Sequence, residues 1–550
     1  MDIICNRVCA TIKALQLLGN SVQGLDHTWW KLAYSAICLP VLTYGCQLWY
    51  RGKQKGLVDK LQKVQNDAVK TIAGAFRTTP REPLHQLLNI FPMAQRLDML
   101  TQNSALRLYR LPRESQLLVR LGGDWRTPVL TDHTLPSPNR KGAKTTLRGL
   151  AARAPVNGPR IDPFPEIPAG APSWNGRVRT LPKHDKREYN DITTVLVESC
   201  KRGYSVNIHC EGLVSNRNRE DNQQVGAASA VIYDRGREHT HREKTYGVSV
   251  TDADTSLLAL SLGLEALSDF LHNQDPDPPV QGTVVILTSA AAAIGRALDA
   301  TPHEGQTTSI QCIRSIEDTL RAHPNLNIRL GWLPKAAPFV GCKRARQLAF
   351  EAVRTAALDE ENEPHTIRSQ QQTAKQSAID AWATKWHADP HNSLAYQLAL
   401  TGPPDGRPHP TYITPTDLPT PRAPANGARA PQGPGNPLGI KVKFSRKNFS
   451  TLYHIITGHA FIGAYTERFH PQHTPDQVAC PCGEPVETVE HVLLHCPLHA
   501  DARHKHLTNN GRPRGGLQQL FRNPERVLDV LRFLEETGAC AKPRGEWEPG

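Results

Sequence analysis

The sequence predicts a multidomain chain with an N-terminal α-helical region, a central α/β domain and a small helical, zinc-binding module near the C-terminus. Three observations carry this. Apolar residues recur with a 3.6-residue period over 57–72, strand-like and helix-like segments alternate across 186–357, and a Cys-Pro-Cys is followed by His and Cys within 480–496. The composition fits several folded pieces better than one compact enzyme. Of 550 residues, 65 are basic and 52 acidic, a net charge of +13, and the mean hydropathy is −0.46. At ~150 residues per domain the length allows three or four domains. The 44 prolines and 39 glycines, 83 of 550 residues, imply long linkers. Twelve cysteines, mostly single in apolar runs such as those of Cys38, Cys46 and Cys312, exclude a secreted disulfide scaffold. A reduced intracellular protein of the nucleus or cytoplasm is expected.

Residues 1–115 read as helices. Leu57, Val58, Leu61, Val64, Ala68, Val69 and Ile72 fall on one helix face, and Lys60, Lys63 and Lys70 on the other. Lysines on a solvated face are commonly only solubilising, but the net charge makes these three candidate phosphate contacts. The N-terminus has no basic region followed by an apolar one, so no signal peptide is expected. The uncharged stretch from Leu32 to Tyr50 is nominally long enough to span a bilayer. It contains Pro40, Thr43, Gly45 and Gln47, so a buried soluble helix broken at Pro40 is expected instead, with no membrane span.

Residues 116–185 form a basic, proline-rich linker. Within 140–187 stand eleven Lys or Arg against three Asp or Glu, a local +8 that includes Arg140, Lys141, Lys144 and Arg148. Such an arm binds phosphates through counterion release without reading sequence, or is simply solvated. Across 186–357 come three early strands, SVNIHCEG and AASAVIY among them, then DTSLLALSLGLEALSDFL as a helix with Asp252 or Asp254 available as its cap. A buried strand TVVILTS, a helix IQCIRSIEDTLRAH, a strand NLNIRLGWLP and a helix KRARQLAFEAVRTAAL complete an α/β unit. Residues 358–400 are helical, with Trp382 and Trp386 four apart on one face. Ten prolines and five glycines in 401–436 mark a linker over 401–440, and 441–540 closes the chain.

Cys480 and Cys482, followed by His491 and Cys496, supply three thiolates and an imidazole, the donor set of a structural zinc site. A CxC start is tighter than usual, and His495 is a substitute ligand. Tyr465, Arg468 and Phe469 lie just upstream, where they could stack on bases or, more simply, fill a core.

The run ITGHAFIGAYTERFH followed by CPCGEPVETVEHVLLHCP resembles the C-terminal end of non-LTR, LINE-like retrotransposon reverse-transcriptase polyproteins of the fungal type. PVLTYGCQLWYRG, LQKVQNDAVKTIAGAFRTTP and LHQLLNIFPMAQRLDML resemble the thumb-like region that follows the polymerase palm in that family. The central domain stands where those polyproteins carry ribonuclease H, which implies a ribonuclease H-like mixed sheet. No YxDD or FxDD palm motif is present, so polymerase activity is not expected, and Met1 is suspected to mark a cut through a longer element. Family ribonuclease H holds two divalent metals on a carboxylate cluster. Matching its motifs residue by residue puts Glu211 at the first aspartate, Ser256 at the glutamate and Ser289 at the second aspartate. In the last motif Trp332, Pro334, Gly341, Ala345, Leu348 and Ala349 set a register that puts Ala336 at the histidine and Arg346 at the final aspartate. Three of four carboxylates are replaced, so Mg²⁺ is not expected at this site.

Three functions follow. The first is a retrotransposon-derived protein that binds RNA, DNA or an RNA–DNA hybrid without hydrolysing it, with Zn²⁺ as a structural cofactor. The second is a working hybrid ribonuclease whose metal site is rebuilt from Glu211 and Asp254. The third is an interaction remnant that uses Trp382 and Trp386 for protein contacts. The sequence names no protein partner.

Overall fold

A computed structural model describes residues 1–52, 54–111, 115–117, 150, 174, 176–181, 189–216, 224–247, 250–273, 282–301, 303–334, 339–356, 366–388, 445–470, 472–509, 512–513, 516–521 and 524–542. The chain divides into two compact units, one of residues 1–100 with 375–550, the other of 101–374. Arg140, Lys141, Lys144, Arg148, Ala336 and the 401–440 linker lie outside the described residues.

The N-terminal helices are α1 (Asp2–Gln16), α2 (His27–Ala33), α3 (Leu39–Thr43), α4 (Cys46–Trp49), α5 (Lys55–Ala73), α6 (Arg81–Leu87) and α7 (Met93–Tyr109). The predicted face of α5 is buried at Leu61, Val64, Ala68, Val69 and Ile72, and Gly74 ends the helix at φ +66°. The run from His27 to Trp49 differs from expectation. It passes the length and hydropathy of a membrane span, and 22% of its most apolar stretch is buried. Trp30, Tyr34, Cys38, Leu42 and Cys46, each four apart, face the core, whereas Trp29, Leu32, Ile37, Tyr44 and Leu48 are exposed. Pro40 does not break it. A π turn over Tyr34–Cys38 leads into α3, where Pro40 occupies the first turn and its missing N–H costs nothing. The break falls at Tyr44 and Gly45, whose φ is +61°.

The second unit holds a six-stranded sheet. Its elements are β1 (Val178–Thr180), α8 (Tyr189–Lys201), β2 (Ser205–Asn216), β3 (Gln224–Asp234), β4 (Arg237–Thr245), α9 (Asp252–His272), β5 (Gly282–Thr288), α10 (Ala291–Ala297), α11 (Gln306–Ala322), β6 (Leu326–Trp332) and α12 (Val340–Thr355). The strand order is β1-β6-β5-β2-β3-β4. β2 to β4 form an antiparallel meander, and β5, β6 and β1 add in parallel, giving the mixed sheet expected. β2 and β5 sit centrally, so both faces of each are covered: Ile208, Val284 and Ile286 are buried on one face, His209, Val285 and Leu287 on the other. β4, REHTHREKT, is charged and exposed, which suits an edge strand. The sheet also recruits β1 from the stretch read as linker, and α8 and α10 have no counterpart in the sequence reading. Val178 to Thr180 pair in register with Ile328 to Leu330.

The remaining elements are α13 (Ile367–Ala388), α14 (Arg446–Thr457), α15 (Gly463–Phe469), α16 (Pro475–Val478), a π turn (His491–His495), α17 (Ala500–His506), β7 (Thr508–Asn509), β8 (Arg512–Pro513), α18 (Leu517–Leu520) and α19 (Pro524–Thr537). The N-terminal helices and α14 to α19 share one hydrophobic core, with Ile72, Met93, Tyr453, Leu493 and Phe533 among its buried members. Trp382 is 1% exposed, with Phe91 5.5 Å away, and Trp386 belongs to the same core. The interaction-remnant reading of these tryptophans therefore fails. Their four-residue spacing marks a buried stripe, and large apolar side chains on such a stripe pack inward.

α14 shows why the two ends of the chain join. Arg446, 4% exposed, donates to the carbonyls of Ile72 at 2.5 Å, Thr71 at 2.7 Å and Asn20 at 3.1 Å. One and two turns later, Ser450 Oγ and His454 Nε2 both reach the Gly74 carbonyl, at 3.0 and 2.8 Å. One stripe of α14 thus satisfies the orphan carbonyls at the C-terminus of α5.

Candidate functional site

Two clusters of chemistry-bearing side chains stand apart. The first lies where β5 ends beside the middle of β2. In the parallel pairing of β2 with β5, Cys210 faces Thr288, so Glu211, still within β2 and paired with Ser229 of β3, stands beside Ser289, the first residue past β5. Ser289 Oγ donates to Glu211 Oε2 at 2.7 Å, and Trp332 Nε1 pins the Ser289 carbonyl at 2.8 Å. From α12, Arg346 brings its guanidinium 3.8 Å from Glu211 Oε1. Glu211 is 3% exposed.

The same two elements make a second rung. Cys342 lies one turn before Arg346, and His209 two residues before Glu211, with Cys342 Sγ 3.4 Å from His209 Nδ1. Burial pushes the Cys342 thiol up to about 12, the Glu211 charge adding to it, and burial drives His209 down to about 3. The pair is neutral and inert at physiological pH. Ser256 stays on its own helix, its hydroxyl donating to the Asp252 carbonyl at 2.7 Å. Close approach of β2 to that helix requires Gly212, because a Cβ there would lie 2.2 Å from the Thr255 carbonyl.

The two nearby aspartates are occupied. The cap of α9 is Thr251, not Asp252 or Asp254, and Asp254 closes the capping box by accepting from the Thr251 N–H at 3.1 Å. Asp254 also accepts from Thr366 Oγ1 at 2.7 Å, with Arg296 at 3.6 Å. Asp252 receives the Val214 N–H at 2.8 Å. Of the four matched positions, the structure therefore brings together one carboxylate, one hydroxyl and one guanidinium. A divalent cation ligated by Glu211 would have to share the carboxylate with the Arg346 guanidinium, 3.8 Å from Oε1. A divalent and a monovalent cation ~4 Å apart repel by roughly 8 kcal/mol at an effective dielectric of 20. The donor set does not fit Mg²⁺, which prefers several anionic or carbonyl oxygens.

The second cluster fits its metal. The donor atoms of Cys480, Cys482, His491 and Cys496 all lie within 4.8 Å of one another. Cys480 Sγ and Cys496 Sγ are 3.8 Å apart, the edge expected of a tetrahedron with ~2.3 Å Zn–S bonds. Cys482 Sγ is 3.1 Å from His491 Nε2. The Glu484 amide lowers the Cys482 thiol, favouring the thiolate a metal needs. In an α-helix, residues five apart point about 140° from each other. The wider π turn, closed by Cys496 N–H donating to the His491 carbonyl at 2.6 Å, brings His491 and Cys496 to one side. With four protein donors, Zn²⁺ would have no open position and would act structurally.

The three candidate lysines of α5 diverge. Lys60 pairs with Asp2 at 2.8 Å, Lys63 is exposed, and Lys70 lines a cleft. Tyr465 and Phe469 are half-buried with ring centroids 4.8 Å apart, and Arg468 lies over the Phe469 ring. Sequence reading missed Lys13, Arg77 and Lys542, which line the same cleft. They come from three segments far apart in the chain and carry no local signal.

No protein-family model matches the sequence, and neither does any curated protein. Among solved structures, the RNase H1 of the halophilic archaeon Halobacterium salinarum NRC-1 is 19% identical, covering 28% of this chain and 99% of its own, with a TM-score of 0.20. LC11-RNase H1 in complex with an RNA/DNA hybrid is 18% identical, covering 28% and 97%, with a TM-score of 0.20. The foamy viral protease-reverse transcriptase in complex with dsDNA is 14% identical, covering 28% and 96%, with a TM-score of 0.21.

Proposed function

We propose that this chain is a retrotransposon-derived nucleic-acid-binding protein whose ribonuclease H-like domain binds without hydrolysing. The observation that carries the loss of hydrolysis is the pairing of Glu211 with the Ser289 hydroxyl and the Arg346 guanidinium. Two-metal hydrolysis needs anionic oxygens that hold both cations and leave room for the attacking water. A serine hydroxyl supplies no charge, and a guanidinium beside the one carboxylate supplies the wrong one. The net charge of +13 and the motif resemblance support a polyanionic partner, whether RNA, DNA or their hybrid. Zn²⁺ on Cys480, Cys482, His491 and Cys496 would hold the C-terminal module in shape. The rival reading, a nuclease rebuilt on Glu211 and Asp254, asks Asp254 to abandon its capping box and its Arg296 and Thr366 contacts.

A labelled RNA–DNA hybrid incubated with the full chain and Mg²⁺ or Mn²⁺ tests this. The expected result is a shifted, intact hybrid released by raising salt. Metal-dependent cleavage that disappears in Glu211→Ala overturns it.

A further inference from the structure

The first unit contains a cleft of about 1470 Å³ bounded by α1, the C-terminal end of α5 with the loop after it, and α15. Small-molecule pockets run to ~300–1,000 Å³, so the space suits a polymer segment better than a metabolite. Its charged lining is lopsided, with Lys13, Lys70, Arg77 and Lys542 against Asp67 alone. Lys70 donates to the Arg77 carbonyl, which holds the half-buried ammonium at the wall and leaves its other N–H bonds to offer. Burial lowers the Lys70 pKa, with Arg81 and Arg77 adding to it and Asp67 opposing.

The lining is also aromatic. Phe76, Phe461 and Tyr465 belong to it, with the Tyr465 ring 5.1 Å from Phe76. Tyr465 Oη lies 3.0 Å from Thr78 Oγ1, which sets the ring's orientation. Cations and half-buried aromatic rings lining one cleft make the pattern that holds a phosphodiester backbone while stacking unpaired bases. A duplex keeps its base faces stacked internally and gains nothing from the aromatic rings.

We propose that this cleft is a binding site for single-stranded nucleic acid, its phosphates on Lys13, Lys70, Arg77 and Lys542 and a base against Tyr465. The proposal rests on the nucleic-acid-binding reading above and names the place and strandedness of the contact. Fluorescence anisotropy on the full chain tests it, using a labelled oligouridylate, its deoxy counterpart and a duplex of equal length over a range of salt. The double charge reversal Lys70→Glu with Arg77→Glu removes two phosphate contacts. It should flatten the slope of log K against log salt by about 1.4, at ~0.7 per single-strand phosphate. Tyr465→Leu, folded by its circular dichroism, should weaken single-strand binding about fivefold or more and leave the salt slope alone. Lys55→Glu, an exposed site outside the cleft, should change the slope little.

Single-strand binding that survives both cleft variants unchanged overturns the cleft assignment and leaves the general reading standing. A duplex bound as tightly as the single strands overturns the strandedness. A wild-type chain with no salt-sensitive retention on any of the three sinks both the cleft and the general reading. If Tyr465→Leu does not fold, the charge-reversal variant decides alone. Equal binding of the ribo and deoxy strands would assign the contact to phosphates and bases, and a ribo preference would add a 2′-hydroxyl contact.

Discussion

Arg346 is the residue on which the central domain's chemistry turns. A cation fixed 3.8 Å from a buried carboxylate does electrostatically part of what a divalent metal does in a carboxylate cluster, without the open coordination positions. Ser289→Asp together with Arg346→Asp would place three carboxylates around the end of β5 beside β2, an arrangement that repels itself unless a cation enters. The double variant should therefore be less stable than wild type in chelator and regain stability on adding Mg²⁺. Metal at ten times its dissociation constant gives ~1.4 kcal/mol, or a rise of roughly 3–6 °C for a domain of this size. Thermal melts of both proteins with and without Mg²⁺ check this, and an equal Mg²⁺ response in wild type would contradict the cation-replacement account. Arg346 was singled out in the sequence only through its place in a motif resemblance. The contact between Ser289 and Glu211 was not legible there, because it depends on how the parallel pairing of β2 and β5 aligns two segments 78 residues apart.

At the scale of elements, the strands and long helices of the central domain were readable because their apolar period is set by burial on one or two faces. β1 was not, since three residues in a basic, proline-rich stretch carry no period, and only pairing with β6 makes them a strand. The π turn that aligns His491 with Cys496 was equally hidden, because its sequence reads as ordinary helix. Gly463, at the start of α15, packs so closely on the Val478 carbonyl that a Cβ would lie 1.7 Å from it. The Ala464 N–H donates to the Glu487 carbonyl at 3.0 Å, and Glu487 N–H to Val478 at 2.9 Å. The loop holding Cys480 and Cys482 thus braces the helix that presents Tyr465. The chain should carry one zinc, lost in Cys496→Ser. Chelation should lower single-strand affinity to about that of Tyr465→Leu while leaving the melting of the central domain unmoved. Metal analysis and anisotropy on the same samples test this. A chelated chain that binds with full affinity would separate the metal from the cleft.

For the whole molecule, the sequence shows the pieces and not their assembly. Residues 1–115 and 441–540 look independent when read locally, yet they share a core through contacts such as that of Arg446 with Ile72, 374 positions apart. No periodicity records a contact of that separation; Arg446, Ser450 and His454 at four-residue spacing record only that one face of α14 is polar. That interface also contributes to the response of the molecule to acid. His454, donating to the Gly74 carbonyl, is driven down to about 4 by burial, and His209 in the central domain to about 3. Both fold neutral, while an unfolded histidine titrates near 6.5. Between these values the unfolded chain binds more protons, so the stability from keeping each ring neutral is full above pH ~6.5 and lost as pH falls toward the folded pKa. At pH 5 the loss is about 2 kcal/mol for each histidine, from the 1.5 pH units below ~6.5. Because each unit holds such a histidine, both units should weaken together between pH 7 and 5. His454→Gln, which keeps a donor for Gly74 and cannot titrate, should remove its own share, about 2 kcal/mol at pH 5, from the acid loss of the first unit, to which His85 and His459, also lowered by burial, add theirs. Denaturant melts at the two pH values, followed by tryptophan fluorescence, measure this. A His454→Gln chain as acid-sensitive as wild type would mean that His454 is not the group that carries the effect there.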